Sequence, residues 1–448
     1  MTEDLVVTEI KTLIGKHSWK EISQRVSGWP DPEVADLLLH LEKTDRVLLY
    51  RSLHRKKAAD VFAHLDHEHQ DSLLQELGAE DTRHLLANLS PDDRTSLLEE
   101  LPAQVTQRLL QLLSPEDMEE ARQLLGYPEE SIGRLMTPDY VAVRPDITVA
   151  EALDSMRRAG KDRETFNIIH VTDPNGKLLD SLRLRRFILA DPNATVESIM
   201  DFKFVSLSAF DDREQAVRMI RRYDLYALPV VDSDGILMGI VTMDDVMDVA
   251  EEEVTEDFHK AAAVSPLDMP YSRASSAFLY RKRIGWLTVL LGVNLISAIV
   301  VVSYEETLEA FLVLATFMPL VVACGGNAGA QSATLMVRAL ATGDVKPNLW
   351  IPPFLKELAV GGLLAVSMGV LSYALGFYRG GADIGLVIGI SMVAIIIIAN
   401  LIGVVLPFTL TKFKMDPAVA SSPLITSLMD AIGLLIYFWM ATKLLDLV

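Results

Sequence analysis

Five apolar segments occupy the last third of this 448-residue chain, and they limit its possible folds more than any other feature. Each is long enough to cross a bilayer core of roughly 30 Å as a helix. The segments lie near residues 284–303, 308–340, 354–378, 384–411 and 422–445. We therefore predict a five-span α-helical membrane domain over residues 276–448, preceded by a large polar region.

Charge separates the two parts of the chain. Residues 1–270 carry 30 basic and 52 acidic side chains, a formal charge of −22, whereas residues 271–448 carry +2. A surface this acidic repels nucleic acid and attracts cations. The single cysteine, Cys324, excludes an internal disulfide and a cysteine-based zinc site. The first residues lack a basic and apolar leader, so we expect no cleavable signal peptide.

The first 130 residues contain a leucine repeat with a spacing of 24 residues. Two rows follow this spacing: Leu41, Leu65, Leu89 and Leu113, and Leu53, Leu77, Leu101 and Leu125. Serine-proline pairs at Ser90-Pro91 and Ser114-Pro115 are typical helix starts, because proline fits the first helical turn. We predict a helical-repeat domain over 1–130, in which stacked helices bury the leucine rows.

Two similar halves follow, opening at Met136 and Met200. Each has a β-α-β-β-α order with an Asp and Gly turn, at 173–176 and 232–235. This order resembles a tandem pair of CBS domains, which we place at 131–250. An acidic segment ending in prolines comes next, and we interpret 251–275 as a connecting helix and linker.

Basic residues indicate the orientation in the membrane. Arg281, Lys282 and Arg283 precede the first span, and Lys412 and Lys414 follow the fourth. The positive-inside tendency then places the amino terminus in the cytosol and the carboxyl terminus outside. We expect a multi-pass protein of the cell inner (plasma) membrane with cytosolic amino-terminal domains.

Two intramembrane features point to ion transport. The segment from Cys324 to Thr334 is rich in glycine, and we predict that it breaks the second span and lines a pore. Asp430 lies inside the fifth span, where a carboxylate is costly unless it faces a cavity. Asn327 and its polar neighbours offer only oxygens and amides, which suit a hard cation such as Mg²⁺. The alternatives are a packing kink and a protonated aspartate bonded to another helix.

The residues 325–334, with Asp416-Pro417-Ala418 and 423–430, resemble the MgtE family of magnesium channels and transporters. The domain order is also similar over nearly the whole chain. This resemblance implies a homodimer in which Asp430 of both copies holds hydrated Mg²⁺, with Asp416 at the cytosolic entrance. It also implies regulatory Mg²⁺ sites at the matching acidic positions, which are Asp92, Asp212, Glu214, Asp224, Asp245, Asp248, Glu253, Glu256 and Asp257.

The first CBS half departs from its family, because Arg186 stands where an aspartate commonly contacts a nucleotide ribose. The sequence therefore does not predict ATP binding. No phosphate-binding loop is present, and we expect no enzymatic activity. The function predicted is a Mg²⁺-selective channel or transporter for magnesium uptake, gated by cytosolic Mg²⁺. The alternatives are a broader Mn²⁺/Co²⁺ carrier and a membrane-anchored CBS sensor whose spans only dimerise.

Overall fold

The computed structural model describes residues 3–159, 163–267, 271–272, 274–346 and 349–445. These residues divide into two compact units, Met1–Glu251 and Glu252–Val448. The first unit holds the helical repeats and both β-α-β-β-α halves. The second holds the apolar helices.

Ten short helices form the first part of the first unit. They are α1 (Glu3–Gly15), α2 (Trp19–Val26), α3 (Asp31–Leu39), α4 (Lys43–Ser52), α5 (Arg55–Ala63), α6 (His67–Glu76), α7 (Ala79–Leu86), α8 (Pro91–Glu100), α9 (Ala103–Leu110) and α10 (Pro115–Leu125). Leu41, Leu65 and Leu89 are buried in one continuous core, which is how the leucine rows hold the stack together.

Serine caps start two of these helices. The Ser90 hydroxyl accepts a hydrogen bond from the Asp93 amide at 3.3 Å, and Ser114 does the same for Asp117 at 3.1 Å. Each cap satisfies an amide that has no partner inside the helix. The predicted helix starts are therefore present in the structure.

The second part of the first unit contains two three-stranded sheets with the same topology. The elements are α11 (Ile132–Leu135), β1 (Ala142–Val143), α12 (Val149–Ala159), β2 (Ile168–Thr172), β3 (Leu178–Arg183), α13 (Leu184–Leu189), β4 (Leu207–Ser208), α14 (Glu214–Tyr223), β5 (Ala227–Val231), β6 (Leu237–Thr242) and α15 (Met243–Ala261), whose residues from Glu252 onward belong to the second unit. A 3₁₀ turn spans Val196–Ile199. In each sheet the first strand is parallel to the second, and the second is antiparallel to the third.

The two hairpin turns join the sheets. Gly176 and Gly235 have φ values of 84° and 82°, a left-handed conformation that favours glycine. The Leu178 amide donates to the Gly235 carbonyl at 2.9 Å, and the Leu237 amide donates to Gly176 at 3.0 Å. The halves are therefore held together by reciprocal backbone hydrogen bonds.

The second unit is built from long apolar helices. They are α16 (Ser276–Ser303), α17 (Glu305–Ala310), α18 (Met318–Ala341), α19 (Ile351–Lys412) and α20 (Ser422–Leu444), with 3₁₀ turns at Leu312–Phe317 and Pro417–Val419. Among the described residues, four helical segments are long and apolar enough to span a membrane. One of them is α19, which has 62 residues and is too long for a single crossing.

Gly381 divides α19 into two arms, 351–380 and 382–412. Its φ of 83° and ψ of −171° lie in a region that only glycine adopts readily. Each arm exceeds the roughly 20 residues that a crossing requires. Counting the arms separately gives five segments, among the described residues, that are long and apolar enough to cross a membrane.

The prediction of a break at the glycines of the second span is wrong. Helix α18 runs through Gly325, Gly326 and Gly329 without interruption, and its irregular start lies earlier, at Leu312–Phe317. A side chain at Gly329 would meet Ile425 at 2.9 Å and the Ala399 carbonyl at 3.2 Å. The glycines therefore let neighbouring helices approach closely, as small residues do in membrane proteins.

Candidate functional site

Asn327 and Asp430 lie on two helices in direct contact. A side chain at Gly326 of α18 would meet the Thr426 methyl of α20 at 2.9 Å, and one at Gly325 would meet Met429 at 3.5 Å. This packing brings the part of α18 that holds Asn327 alongside the part of α20 that leads to Asp430. The candidate pore residues are thus positioned by glycine contacts and not by a broken helix.

One face of α18 is polar and open. Asn327, Gln331 and Thr334 are exposed and recur at a spacing of four and three residues, which puts them on one helical face. Such side chains are costly against lipid, so this face is expected to meet water or another protein surface. We call these three residues the polar stripe.

Asp430 is half-buried near the middle of α20. Its Oδ1 atom is buried and has no hydrogen-bond partner among the described residues. The alternative of an aspartate bonded to a neighbouring helix therefore finds no support at this atom. A carboxylate in this position is suited to interact with a cation.

Sequence reasoning missed a second intramembrane carboxylate, Glu357. The Ser332 hydroxyl donates to Glu357 Oε2 at 3.2 Å and lies at the same distance from the Asn400 carbonyl. Ser332 is buried, so it does not belong to the polar stripe. The signal was available, because Glu357 is the one acidic residue within the predicted span 354–378.

Asp416 contacts helix α15 through Lys260. Its Oδ2 accepts a hydrogen bond from the Lys260 ammonium at 2.6 Å, and Lys260 also pairs with Glu256 one turn earlier. Burial acts to lower the pKa of Lys260, but the bonds to Asp416 and Glu256 outweigh it and raise this pKa above its ordinary value. Asp416 is therefore bonded to a lysine of α15.

Asp92 and Asp245 belong to a group of mutually repelling carboxylates in the first unit. Asp92 is buried at the start of α8, and its Oδ1 has no hydrogen-bond partner among the described residues. Asp245, in the first turn of α15, accepts a hydrogen bond from Thr242 at 2.5 Å. Glu164, Asp93 and Asp244 lie close enough to act on the same charges. We call these five residues the acidic cluster.

The pKa values of Asp92 and Asp245 are raised because these carboxylates are buried and lie close to other acids. Burial, followed by repulsion from Asp245, raises the pKa of Asp92 well above its ordinary value. Burial raises the pKa of Asp245 to about 7; the bond from Thr242 opposes this rise, and the neighbouring carboxylates add to it. A proton or a cation bound here therefore stabilises the arrangement.

The other predicted sensor residues are dispersed. Asp212 and Asp224 are exposed at the two ends of α14, and Glu214 is paired with Arg218. Asp248, Glu253, Glu256 and Asp257 follow one another along α15. Within the described residues, no three Asp, Glu, His or Cys side chains converge closely enough to hold a metal ion. The structure therefore does not unite the predicted sensor positions into one site.

Comparison with known families matches the chain in three parts. A divalent cation transporter domain matches residues 318–440, an MgtE intracellular N domain matches 30–130, and CBS domains match 132–192 and 196–252. The magnesium transporter MgtE of Thermus thermophilus is 44% identical over 73% of this chain and 73% of its own length. The magnesium transporter MgtE of Bacillus subtilis is 35% identical over 71% of this chain and 70% of its own.

Solved structures resemble the first unit. A crystal structure of the cytosolic domain of the Mg²⁺ channel MgtE in complex with ATP is 37% identical, with a TM-score of 0.51, over 54% of this chain and 99% of its own. The soluble part of a magnesium transporter is 28% identical, with a TM-score of 0.54, over 56% of this chain and 99% of its own.

Proposed function

Because this chain belongs to the MgtE family and transports Mg²⁺ across a membrane, we propose that it is a homodimeric, Mg²⁺-selective channel for magnesium uptake whose opening is controlled by cytosolic Mg²⁺. The observation that carries the proposal is the polar stripe on α18. A second copy placed on this face would enclose a polar path and remove the stripe from lipid.

The pathway is proposed to run past Asn327 and Asp430 of both copies. Mg²⁺ gives up its hydration waters reluctantly, so a pore for it holds the hydrated ion through carboxylate and amide oxygens. Asp430 supplies the charge, and Asn327 supplies a neutral oxygen from the adjacent helix. Carboxylate, amide and water oxygens suit both Mg²⁺ and Mn²⁺, so selectivity against the alternative of a broader Mn²⁺/Co²⁺ carrier is proposed to come from holding the ion together with its waters.

The gate is proposed to respond through the acidic cluster and the carboxylates of α15. The residues that would hold regulatory Mg²⁺ are Asp92, Asp212, Glu214, Asp224, Asp245, Asp248, Glu253, Glu256 and Asp257. Because three carboxylates do not converge within the described residues, each ion would be held by one or two of them together with water. The ion closes the channel only if it binds the closed form more tightly than the open form.

Asp416 and Lys260 are proposed to connect the sensor to the pore. Lys260 lies one turn after Glu256 on α15, and Asp416 stands between α19 and α20. A movement of α15 would therefore act directly on the connection between two membrane helices. The bond contributes to the closed form without any metal ion.

The protein is proposed to work in the plasma membrane. Its intracellular N domain and CBS domains are cytosolic, and the basic residues before α16 agree with that orientation. ATP is bound by the solved cytosolic-domain relative. For this chain we do not propose it as the nucleotide ligand, since Arg186 replaces the carboxylate expected to contact the ribose.

Single-channel recording of the reconstituted protein tests the proposal. Mg²⁺ is varied on the side of the soluble domains while the opposite side stays fixed. Unitary Mg²⁺ currents that close as this concentration rises are expected, with much smaller currents when Mn²⁺ or Co²⁺ replaces Mg²⁺. Stoichiometric exchange with a coupled ion, without unitary currents, would refute the channel proposal.

A further inference from the structure

A cleft lies in the second unit, where the end of α18 meets the start of α19. Its volume is about 580 Å³, within the range typical of small-molecule sites. Its apolar walls are formed by Leu335, Met336, Ala339, Leu349, Pro352 and Pro353. The polar stripe, Asp430 and the acidic cluster lie outside it. We call it the interfacial cleft.

The interfacial cleft lies on the cytosolic side of the membrane segments. Because the amino-terminal domains are cytosolic, α16 leads outward and α18 returns, so that α18 ends at the inner surface. Trp350, beside the cleft, is 48% exposed. Tryptophan is enriched at the boundary between membrane and water. The cleft is therefore at the level of the phospholipid headgroups of the inner leaflet.

The lining of the interfacial cleft carries two charges of each sign. They belong to Asp344, Lys346, Lys356 and Glu357. The first three side chains are exposed and make no hydrogen bond or ion pair within the part of the chain that the structure describes. Electrostatic complementarity between a site and its ligand then favours a ligand that also carries both signs.

The two kinds of charge match two parts of a phospholipid headgroup. Lysine ammonium groups donate charge-assisted hydrogen bonds to phosphate oxygens. Carboxylates only accept, so Asp344 and Glu357 need a ligand that donates. Glu357 lies in the second turn of α19 and already accepts from Ser332 at 3.2 Å, which leaves Asp344 as the uncommitted acceptor. A primary ammonium group supplies up to three donors.

The apolar wall of the cleft suits the rest of such a lipid. Leu335 on α18 is 66% exposed, and Leu349 just before α19 is 58% exposed. Both line the same cleft as the charged side chains. Acyl chains lying along these leucines would continue into the bilayer, whereas a soluble metabolite would leave the leucines uncovered.

We propose that the interfacial cleft binds a phospholipid of the inner leaflet whose headgroup ends in a primary amine, as in phosphatidylethanolamine. The phosphate lies between Lys346 and Lys356, and the ammonium donates to Asp344. Phosphatidylcholine has the same charges but no N–H donor, and phosphatidylglycerol lacks the positive charge. Because Glu357 is bonded to Ser332, the lipid would rest against a contact between α18 and α19. The site does not depend on how the ion crosses the membrane.

Native mass spectrometry of the delipidated, full-length protein in detergent tests this. Phosphatidylethanolamine, phosphatidylcholine and phosphatidylglycerol with identical acyl chains are titrated separately. Loss of one charge-assisted hydrogen bond predicts about tenfold weaker binding of phosphatidylcholine than of phosphatidylethanolamine. Glycerophosphoethanolamine, which has the headgroup without acyl chains, should not bind measurably at the same concentrations.

Substitutions at exposed positions separate the contacts without disturbing the core. Asp344→Asn should weaken phosphatidylethanolamine and strengthen phosphatidylglycerol, a change of opposite sign that general loss of structure does not produce. Lys356→Gln should weaken all three lipids several-fold, roughly one contact with the shared phosphate. Lys412→Gln removes an exposed cation at the end of α19, outside the cleft, and should change none of the affinities.

Several outcomes would overturn the proposal. Equal affinity for phosphatidylcholine and phosphatidylethanolamine would exclude recognition of the amine. Tightest binding of phosphatidylglycerol by the parent protein would show that the cleft selects an anion. Equal weakening by Lys412→Gln and Lys356→Gln would show a general surface effect, and tight binding of glycerophosphoethanolamine would indicate a soluble ligand.

Discussion

Asp430 and Asp92 are both carboxylates with a buried oxygen that has no hydrogen-bond partner among the described residues, yet their surroundings differ. Asp430 is a solitary acid among apolar helices, beside an open polar face. Asp92 is one of five acids whose charges repel one another. A solitary carboxylate can hold a passing ion without rearranging the protein, whereas crowded carboxylates change their packing when an ion neutralises them. The first arrangement suits conduction, and the second suits sensing.

Replacing the solitary acid should have the largest effect. Asp430→Ala is expected to reduce Mg²⁺ uptake into proteoliposomes to background, because α20 then has no charge at this depth. The dimer should still assemble, as judged by size-exclusion chromatography with light scattering. Asp383→Ala, at an exposed acidic position near Gly381, is the matched control. Uptake at the parental rate in Asp430→Ala would exclude this residue from the pathway.

Neutralising the crowded acids should spare conduction and alter regulation. The double variant Asp92→Asn/Asp245→Asn is expected to shift the midpoint of Mg²⁺ inhibition upward by about tenfold, a typical allosteric coupling. Patch recording across cytosolic Mg²⁺ measures that midpoint. Glu119→Gln/Asp146→Asn removes two exposed charges of the same unit and serves as control. An unchanged inhibition curve would show that the acidic cluster is not the sensor.

Lys260 is bonded to Asp416, and its removal should have an intermediate effect. Lys260→Met breaks the bond to Asp416, so the channel should open about two- to fivefold more readily at a given Mg²⁺ concentration, as expected for a partly exposed ion pair. Lys260→Arg keeps the charge and should behave like the parent protein. Equal open probability in the methionine variant and the parent would mean that the bond does not contribute to closure.

The smallest expected effect is the change of the unfolding temperature with pH. Asp245 has a folded-state pKa of about 7, above its unfolded value of 3.8, so the folded form is favoured while this group stays protonated. That contribution is lost as the pH rises through 7. Without Mg²⁺, the unfolding temperature of the soluble domains should fall between pH 6 and pH 8 by a few degrees, roughly the shift for 1 kcal/mol.

Asp245→Asn has no titrating group at this position, so its unfolding temperature should depend less on pH. Bound Mg²⁺ should have the same effect in the parent protein. Differential scanning fluorimetry provides the comparison. A parent protein and an Asp245→Asn variant with the same pH dependence would show that Asp245 does not titrate in this range.

Local patterns predicted much of the fold. The 24-residue leucine spacing predicted the helix stack, because buried positions such as Leu41 and Leu65 recur wherever a repeat covers its neighbour. Hydropathy predicted the membrane segments, and the position of Asp430 within one of them was visible in the sequence. The glycines of α18 were misinterpreted, since glycine both breaks helices and allows them to pack closely. The close contacts of Gly329 with Ile425 and Ala399 show that it serves helix packing, and these contacts are visible only in the structure.

Contacts between distant residues account for what sequence reasoning missed. Ser332, Glu357 and Asn400 belong to three separate helical segments, and no spacing rule joins them. Lys260 and Asp416 are 156 residues apart. The raised pKa of Asp245 depends first on its burial and then on neighbours such as Asp93 and Glu164, and the tertiary fold creates both. The candidate carboxylates were therefore predictable, but their bonded partners were not.

The turn at Gly381 has a consequence for what the exterior of the cell can reach. With cytosolic amino-terminal domains, this turn lies on the outer side, and a single non-helical residue connects its two arms. The preceding outer connection is also short, consisting of α17 and the turn that follows it. Antibodies, proteases and toxins would therefore have few protruding residues to bind on this side. The soluble first unit offers a regulatory ligand much more surface than these connections do.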